Sequence, residues 1–384
     1  MFNSMLKTFD FNSWNTRGLM VTGAIMLALL FLGPTIFDLF TLLKVILFIA
    51  MAMLALSLAF IWGFGGILCF GQSAFFGLGG YVYAIGVINM GESTVPILLA
   101  IFIPAAFAML LGYFMFYGRL NDVYLAVVTL AVTLILYAFI RSTSGEEWVI
   151  GKARLMGFNG ISSIPDPNWP GFPDSLLWPD DKFYVAMALL ILVYFGLRFL
   201  LRTHFGRVIV AIKENETRAE LLGYDVRFYK MITFTIGGGI AGLAGFLLVT
   251  FNNFVNPDKF ALALAAQIIM WVLIGGVGTL IGPMLGSLAL LMLYNWLGTQ
   301  NFAGWLNTYL VFGGIILLWG VAFASNRRGE KGGGGVWDPP LSVAHKVSST
   351  GGGGSGAAAC TIPHHPSRLW GNIFIFYLFF IFLI

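Results

Sequence analysis

The sequence has little charge. Only 10% of its 384 residues are Asp, Glu, Lys or Arg, where a soluble domain carries about a quarter, so most of the chain cannot keep a surface wet. Cysteine is almost absent. Cys69 lies in an apolar run and Cys360 in a low-complexity stretch, which leaves no disulfide framework. No Asp, Glu, Lys or Arg falls in the middle of a long apolar run. That argues against an ion-coupled pump built on a buried carboxylate and against a charged-ring channel filter. The net charge of +4 rests on too few charges to imply nucleic acid.

Motifs for chemistry are missing as well. Gly145–Lys152 has one residue too many between its glycines for a P-loop, and Ala153 follows the lysine. Without a Walker A motif the chain is not expected to hydrolyse ATP alone. Gly237–Gly242 fits G-x-G-x-x-G but lies inside an apolar run and follows no strand, so it is no dinucleotide site. Cys360, His364 and His365 sit in a low-complexity tail and are not read as a metal set. His204, among basic residues, reads as an interfacial side chain. No nucleophile–base pair is visible, so we expect neither an enzyme nor a cofactor bound by this chain.

What is present is apolar length. Hydrophobic residues make up 59% and mean hydropathy is +0.88. A spanning helix needs about 20 mostly apolar residues. Ten stretches qualify: Leu19–Phe37, Thr41–Trp62, Ser73–Asn89, Val95–Tyr117, Val123–Ile140, Phe183–Leu201, Met231–Phe251, Ala263–Ile281, Met284–Leu297 and Trp305–Ala324. The fold class expected is an all-α polytopic membrane protein of about ten transmembrane helices. Residues 19–324 form the membrane domain. Ser73–Asn89 and Met284–Leu297 are short and Gly-flanked, as re-entrant or broken segments are.

Residues 141–182 hold four basic residues against six acidic ones, whereas residues 202–230 hold six basic residues. The positive-inside rule puts 202–230 in the cytoplasm and 141–182 outside. Counting spans back from there places the N-terminal stretch 1–18 in the cytoplasm. The start of the chain shows no cleavable signal pattern. The tail 325–384 is linker-like, with glycine runs at 332–335 and 351–354, and ends in an apolar run too short to span. No role follows for it.

Two glycine clusters, Gly63–Gly80 and Gly275–Gly286, interrupt apolar segments in the two halves of the chain. This is the pattern of transporters built from two structural repeats, whose broken helices line a midplane site. The competing reading is close helix packing: Gly278, Gly282 and Gly286 are four apart, as are Gly238 and Gly242. Gln72 and Ser73 favour function in the first cluster, since a side-chain amide in the membrane is costly unless used. We therefore take Gln72, Ser73, Phe76, Tyr124, Thr129, Thr133, Gln267 and Trp271 as candidates for a substrate path. For the threonines the alternative is a bond back to the preceding turn.

In the basic stretch, Asn215 can cap a short helix through Leu222, with Gly223 beyond its end. Thr217 and Glu220 give an alternative start with capping-box spacing. The run from Gly206 to Gly223, followed by Tyr229 and Lys230, resembles the permease subunits of ABC importers for branched-chain amino acids. It is similar also to their relatives for urea and short amides. Gly71–Tyr81, Ala241–Gly245 and Trp271–Pro283 fit the same family, and the resemblance covers roughly Val45 to Ala324. Gly157–Ile161 resembles a turn that the family carries before the sixth span.

The resemblance implies that Glu214–Gly223 is a coupling helix docking on a cytoplasmic ATPase, with Glu214, Asn215, Glu216, Arg218, Ala219 and Gly223 as its contact residues. It also implies a second homologous permease chain, two ATPase subunits that use ATP, an extracytoplasmic solute-binding protein and a bacterial inner-membrane location, with membrane lipid around the chain. Import would proceed by alternating access around a mostly apolar path. Urea or a short amide is the alternative solute, and a channel or facilitator without a motor is the alternative class.

Overall fold

In the computed structural model, residues 14–299 are described except 37, 146, 170 and 171. The span expected at Trp305–Ala324 and the tail 325–384 lie outside the described residues. The chain begins with helix α1 (Trp14–Ile36) and α2 (Leu39–Leu58), which runs on into a π-helical turn, Ala59–Phe64. Then follow α3 (Gln72–Met90), α4 (Thr94–Tyr117) and α5 (Asp122–Ser142). After residues 143–178 come α6 (Pro179–Arg202), α7 (His204–Glu214), α8 (Glu216–Leu221) and α9 (Val226–Asn252). Helices α10 (Leu262–Gly275) and α11 (Ile281–Thr299) complete the described part.

Six of these helices are long and apolar enough to cross a membrane: α2 with its π-helical turn, α3, α4, α5, α6 and α9. The apolar parts of α1, α10 and α11 are shorter. The sequence placed a span at Ala263–Ile281, with a glycine cluster from Gly275 interrupting it. The helix stops at Gly275, where that cluster begins, because Gly276 and Gly278 take φ of +95° and +99°, a left-handed conformation that glycine adopts freely. The segment read as re-entrant or broken at Ser73–Asn89 is one continuous helix, α3, closed at Gly91 with φ +70°.

Helix α9 is the axis of the packing. It lies against α4, α3 and α2, and α3 also packs on α4. Asp225 starts it by accepting the Arg227 and Phe228 amides at 3.2 and 3.4 Å, which satisfies donors that a helix N-terminus otherwise leaves bare. Small residues then let the neighbours come in. A Cβ on Gly79 of α3 would collide with the Gly242 backbone, and one on Gly245 with the Phe76 carbonyl. Pro104 inside α4 withholds the amide that would bond the Ala100 carbonyl. Gly242 fills that place, since a Cβ there would strike the Ala100 oxygen.

Residues 143–178 are not purely irregular. They carry two short antiparallel ribbons, β1 (Val149–Ile150) with β2 (Ala153–Arg154), and β3 (Asn168–Trp169) with β4 (Phe172–Leu176). Between them Gly157–Asn159 forms a single 3-10 turn, and Ile161 bridges Val255 just after α9. The all-α expectation thus holds for the spans but not for this excursion. Asp166 accepts from Lys182 at 2.5 Å and from Asn253 at 2.7 Å, and Lys182 also reaches the Thr250 carbonyl at 3.4 Å. The excursion is tied in this way to the ends of α6 and α9.

The largest departure from the sequence reading is in 202–230. A loop with one short helix was expected. The structure adds a second helix, α7, whose Val208, Ile209 and Ile212 are buried. Val208 and Ile212 share a cluster with Ala219 and Val226, flanked by Tyr224 and Tyr229. Glu214 therefore ends α7 rather than starting the helix expected at Glu214–Gly223. Asn215 separates the two helices and caps α8 by accepting the Arg218 amide at 2.9 Å. The Thr217–Glu220 capping box does not form the start of α8, because Asn215 already occupies the cap. Gly223 closes the unit at φ +87°.

Candidate functional site

Helix α2 does not end cleanly. Its last turn widens, with the Gly65 amide reaching the Phe60 carbonyl at 3.3 Å and the Ile67 amide reaching Ile61 at 3.3 Å. Such π-turns cost regular bonding and concentrate at functional sites. The chain then runs non-helically until Gly71, and α3 begins at Gln72. The break is stitched from α5. Thr129 Oγ1 accepts the Phe70 amide at 3.2 Å while donating to the Ala126 carbonyl at 2.9 Å. Thr133 Oγ1 only donates back to the Thr129 carbonyl at 2.8 Å. The turn-bonding alternative is thus correct for Thr133, whereas Thr129 also holds the broken backbone.

Gln72 and Ser73 form the first turn of α3 and are buried. Gln72 Oε1 accepts a long bond from Ser57 at 3.5 Å. Gln72 Nε2 and Ser73 Oγ find no partner among the described residues. An unpaired buried amide or hydroxyl costs about 1–3 kcal/mol, and both lie where a helix N-terminus already presents positive partial charge. The arrangement offers hydrogen-bond donors to a group that arrives between the helices.

Phe76, one turn on, is fully buried, and its carbonyl faces Gly245. It therefore belongs to the packing of α3 on α9. On α10, Trp271 is buried and Gln267 half-buried. Helix α10 packs on both α3 and α5, so the helices that carry Gln72, Thr129 and Trp271 meet. Tyr124 does not share this setting, being 62% exposed.

The cluster is closed at each end by residues that sequence reasoning missed. Towards residues 141–182, the 3-10 turn Pro257–Phe260 sets the Phe260 ring on Gly77, where a Cβ would meet it at 2.7 Å. The same ring lies 5.7 Å from that of Tyr81. Towards residues 202–230, the two glycine breaks touch: a Cβ on Gly63 would sit 2.9 Å from the Gly278 nitrogen. Lys213 of α7 donates to the Gly63 carbonyl at 2.6 Å. A hydrophobic residue beside a small one, as Tyr81 and Gly77 are, gives no sequence signal for a plug arriving from 180 residues away. Lys213 was visible only as one basic residue among six.

The 202–230 unit has its own electrostatics. Lys230 is buried and pairs with Glu216 at the start of α8, and it lies 4.0 Å from Asp122 at the start of α5. A buried ammonium needs such carboxylates to offset its lost hydration. They fix α8 to two spans at once. The tip of the unit stays open, with Leu221 84% and Leu222 71% exposed.

These features describe a multi-pass membrane protein with a broken-helix centre and a compact loop unit braced on its spans. Residues 40–319 match the family described as "Branched-chain amino acid transport system / permease component", and the chain belongs to that family. It is 30% identical over 283 residues to the high-affinity branched-chain amino acid transport system permease protein LivM of Escherichia coli K12, covering 69% of this chain and 64% of that protein. The probable branched-chain amino acid transport permease LivM of Methanocaldococcus jannaschii is 29% identical over 286 residues, 66% of this chain and 77% of the relative. The autoinducer 2 import system permease LsrC of Enterobacter sp. 638 is 35% identical over 139 residues, 35% of this chain and 40% of that protein. The match therefore spans under two thirds of the Escherichia coli relative's length. No solved structure matches the chain.

Proposed function

We propose that this chain is the transmembrane permease subunit of an ATP-driven importer for branched-chain amino acids, working by alternating access in a bacterial inner membrane. Two separate ATPase subunits bind and hydrolyse ATP. A second, homologous permease chain completes the path, and an extracytoplasmic binding protein delivers the solute at residues 141–182. The N-terminus and residues 202–230 face the cytoplasm, in keeping with the excess of basic residues in that stretch. The two glycine breaks correspond to one another in two structural repeats.

The observation that carries the reading is the 202–230 unit. Its short helix α8 is capped by Asn215, cored by Ala219 and braced by Lys230, yet it ends in two exposed leucines. A rigid element with an apolar tip suits a groove on an ATPase, and Glu214, Arg218 and Gly223 flank that contact. The buried donors of Gln72 and Ser73 suit the carboxylate of an amino acid in transit. Among the relatives, the branched-chain amino acid permeases cover 66–69% of the chain and the autoinducer permeases 35–53%, which favours the amino-acid solute over others.

The test is a gentle purification of the tagged chain, identification of the proteins that accompany it, and uptake of labelled leucine against labelled urea in proteoliposomes. ATP-dependent leucine uptake with a co-purifying ATPase is expected. Rapid flux down a gradient without any ATPase would replace the importer by a channel, and urea uptake alone would change the solute.

A further inference from the structure

Lys213 stands at the last turn of α7, next to the proposed coupling helix, and although the residue is exposed its ammonium is engaged by the protein. Its ammonium donates to the carbonyl of Gly63, 150 residues away in sequence and in the π-helical turn that follows α2. That carbonyl lacks its usual partner, because the Ile67 amide that an α-helix would supply bonds Ile61 instead. A lysine on a free C-terminal carbonyl is favourable both as a charge-assisted bond and as a cation on the negative end of the helix dipole. The stem is held as well. Gly66 takes φ +72°, and a Cβ there would lie 3.0 Å from Lys213 Cγ. On its far side, Gly63 abuts the Gly278 nitrogen in the turn between α10 and α11.

One side chain thus joins the loop unit to the break after α2, which in turn abuts the break before α11. Both breaks are glycine turns with positive φ, so they can change conformation at low cost. The helix crossing around Gly79 and Gly242 has no room to do so. A movement of the α7–α8 unit would reach the crossing through packed backbone, but it would reach the breaks through Lys213. We infer that Lys213 is the positioning residue that transmits movement of the coupling unit to the paired glycine breaks, so that ATP hydrolysis opens or closes the path on the side facing residues 202–230. This rests on the importer reading above.

The test uses the assembled transporter, with its two ATPase subunits and second permease chain co-expressed and its solute-binding protein added, in proteoliposomes that carry Lys213→Met, Lys213→Arg or Gly66→Ala. Leucine imported per ATP hydrolysed is the readout, beside the hydrolysis rate and the thermal midpoint of the complex. In Lys213→Met we expect that ratio to fall about tenfold, the bias that a hydrogen bond to a charged group supplies, with hydrolysis near the wild-type rate. Lys213→Arg, which keeps the cation, restores most of the ratio. Gly66→Ala displaces the lysine stem without touching the ammonium, while also straining the left-handed φ of the break; it lowers the ratio, and an unchanged ratio there decides the matter if Lys213→Met fails to assemble. An unchanged ratio in Lys213→Met and Gly66→Ala overturns the inference and leaves the importer standing. So does a parallel loss of uptake and hydrolysis with a lowered thermal midpoint, which would mark Lys213 as a helix cap only. A wild-type complex that hydrolyses ATP but imports no solute removes the importer reading and this inference together.

Discussion

Glycine serves two opposed purposes in this molecule. At the crossing of α9 with α3 and α4, Gly79, Gly242 and Gly245 are helical, and each lies against backbone with no space for a methyl group. At the breaks, Gly66, Gly276 and Gly278 have positive φ and, at Gly276 and Gly278, nearly open surroundings. The first set holds helices together at the shortest range, where dispersion and Cα–H···O contacts replace the hydrophobic effect that lipid does not supply. The second set lets the backbone leave the helix. One residue type therefore marks both the least and the most deformable parts of the spans.

The comparison breaks most sharply at Gly242. In Gly242→Ala the new methyl group must displace the Ala100 carbonyl or the Pro104 ring, and overpacking costs about 1–3 kcal/mol, with rigid backbone on one side placing this site at the upper end. Loss of monodisperse protein after detergent extraction is the expected result. A variant that purifies normally and unfolds at the wild-type temperature would show that the crossing is not rigid. Gly278→Ala asks the opposite question. Its Cβ meets only the Gly63 oxygen, at 4.0 Å, so the cost is the φ of +99° alone, about 1–2 kcal/mol. Folded protein with reduced uptake is expected, and unchanged uptake would make that break a passive turn.

The sequence shows these two roles only in part. Apolar length revealed the helices at α1–α6 and α9–α11, and charge balance separated residues 141–182 from 202–230. The spacing of Gly238 and Gly242 suggested packing, but Gly79 and Gly245 have no pattern that announces which backbone each will meet. Helix α7 was missed because its buried residues, Val208, Ile209 and Ile212, sit among charges on a helix too short to span. The cap at Asn215 and the left-handed Gly223 were legible, since both depend on local backbone chemistry. Lys213, Lys230 and Phe260 were not, because each acts on a residue far away in sequence. Roles that are local could be read; roles that join elements could not, and Thr129, though picked out as a candidate, gave no sign that it holds the Phe70 amide.

A milder probe tests whether the break after α2 needs its stitch. Thr129→Val keeps the shape of the side chain but removes the acceptor for the Phe70 amide. The loss of one buried bond costs about 1–3 kcal/mol when the donor is left bare. We expect a lower thermal midpoint and faster hydrogen exchange at residues 66–71, with the α9 crossing as protected as before. Uniform exchange over both regions would mean that they are not independent.

The smallest effect lies at the far end of α9, where packing is exchanged for polar contacts. Asp166 is held by Lys182 and Asn253, and Lys182 also meets the Thr250 carbonyl near the helix terminus. Burial by itself raises the Asp166 pKa. The hydrogen bonds from Lys182 and Asn253, with the lysine charge, outweigh it and leave the pKa below its usual value of 3.8. A carboxylate depressed on folding contributes stability that is fully present above the unfolded pKa and is lost as pH falls through the folded one. Between pH 5 and 8 this clamp should therefore be constant, and it should weaken only below about pH 3.8. The Asp166 side chain is 43% exposed, so solvent screening keeps the contribution under about 1 kcal/mol. Asp166→Asn should lower the thermal midpoint slightly at pH 7 and remove part of the fall seen on acidification. If instead the variant lost as much stability as Gly242→Ala, the end of α9 would be set by its polar clamp and not by the glycine crossing below it.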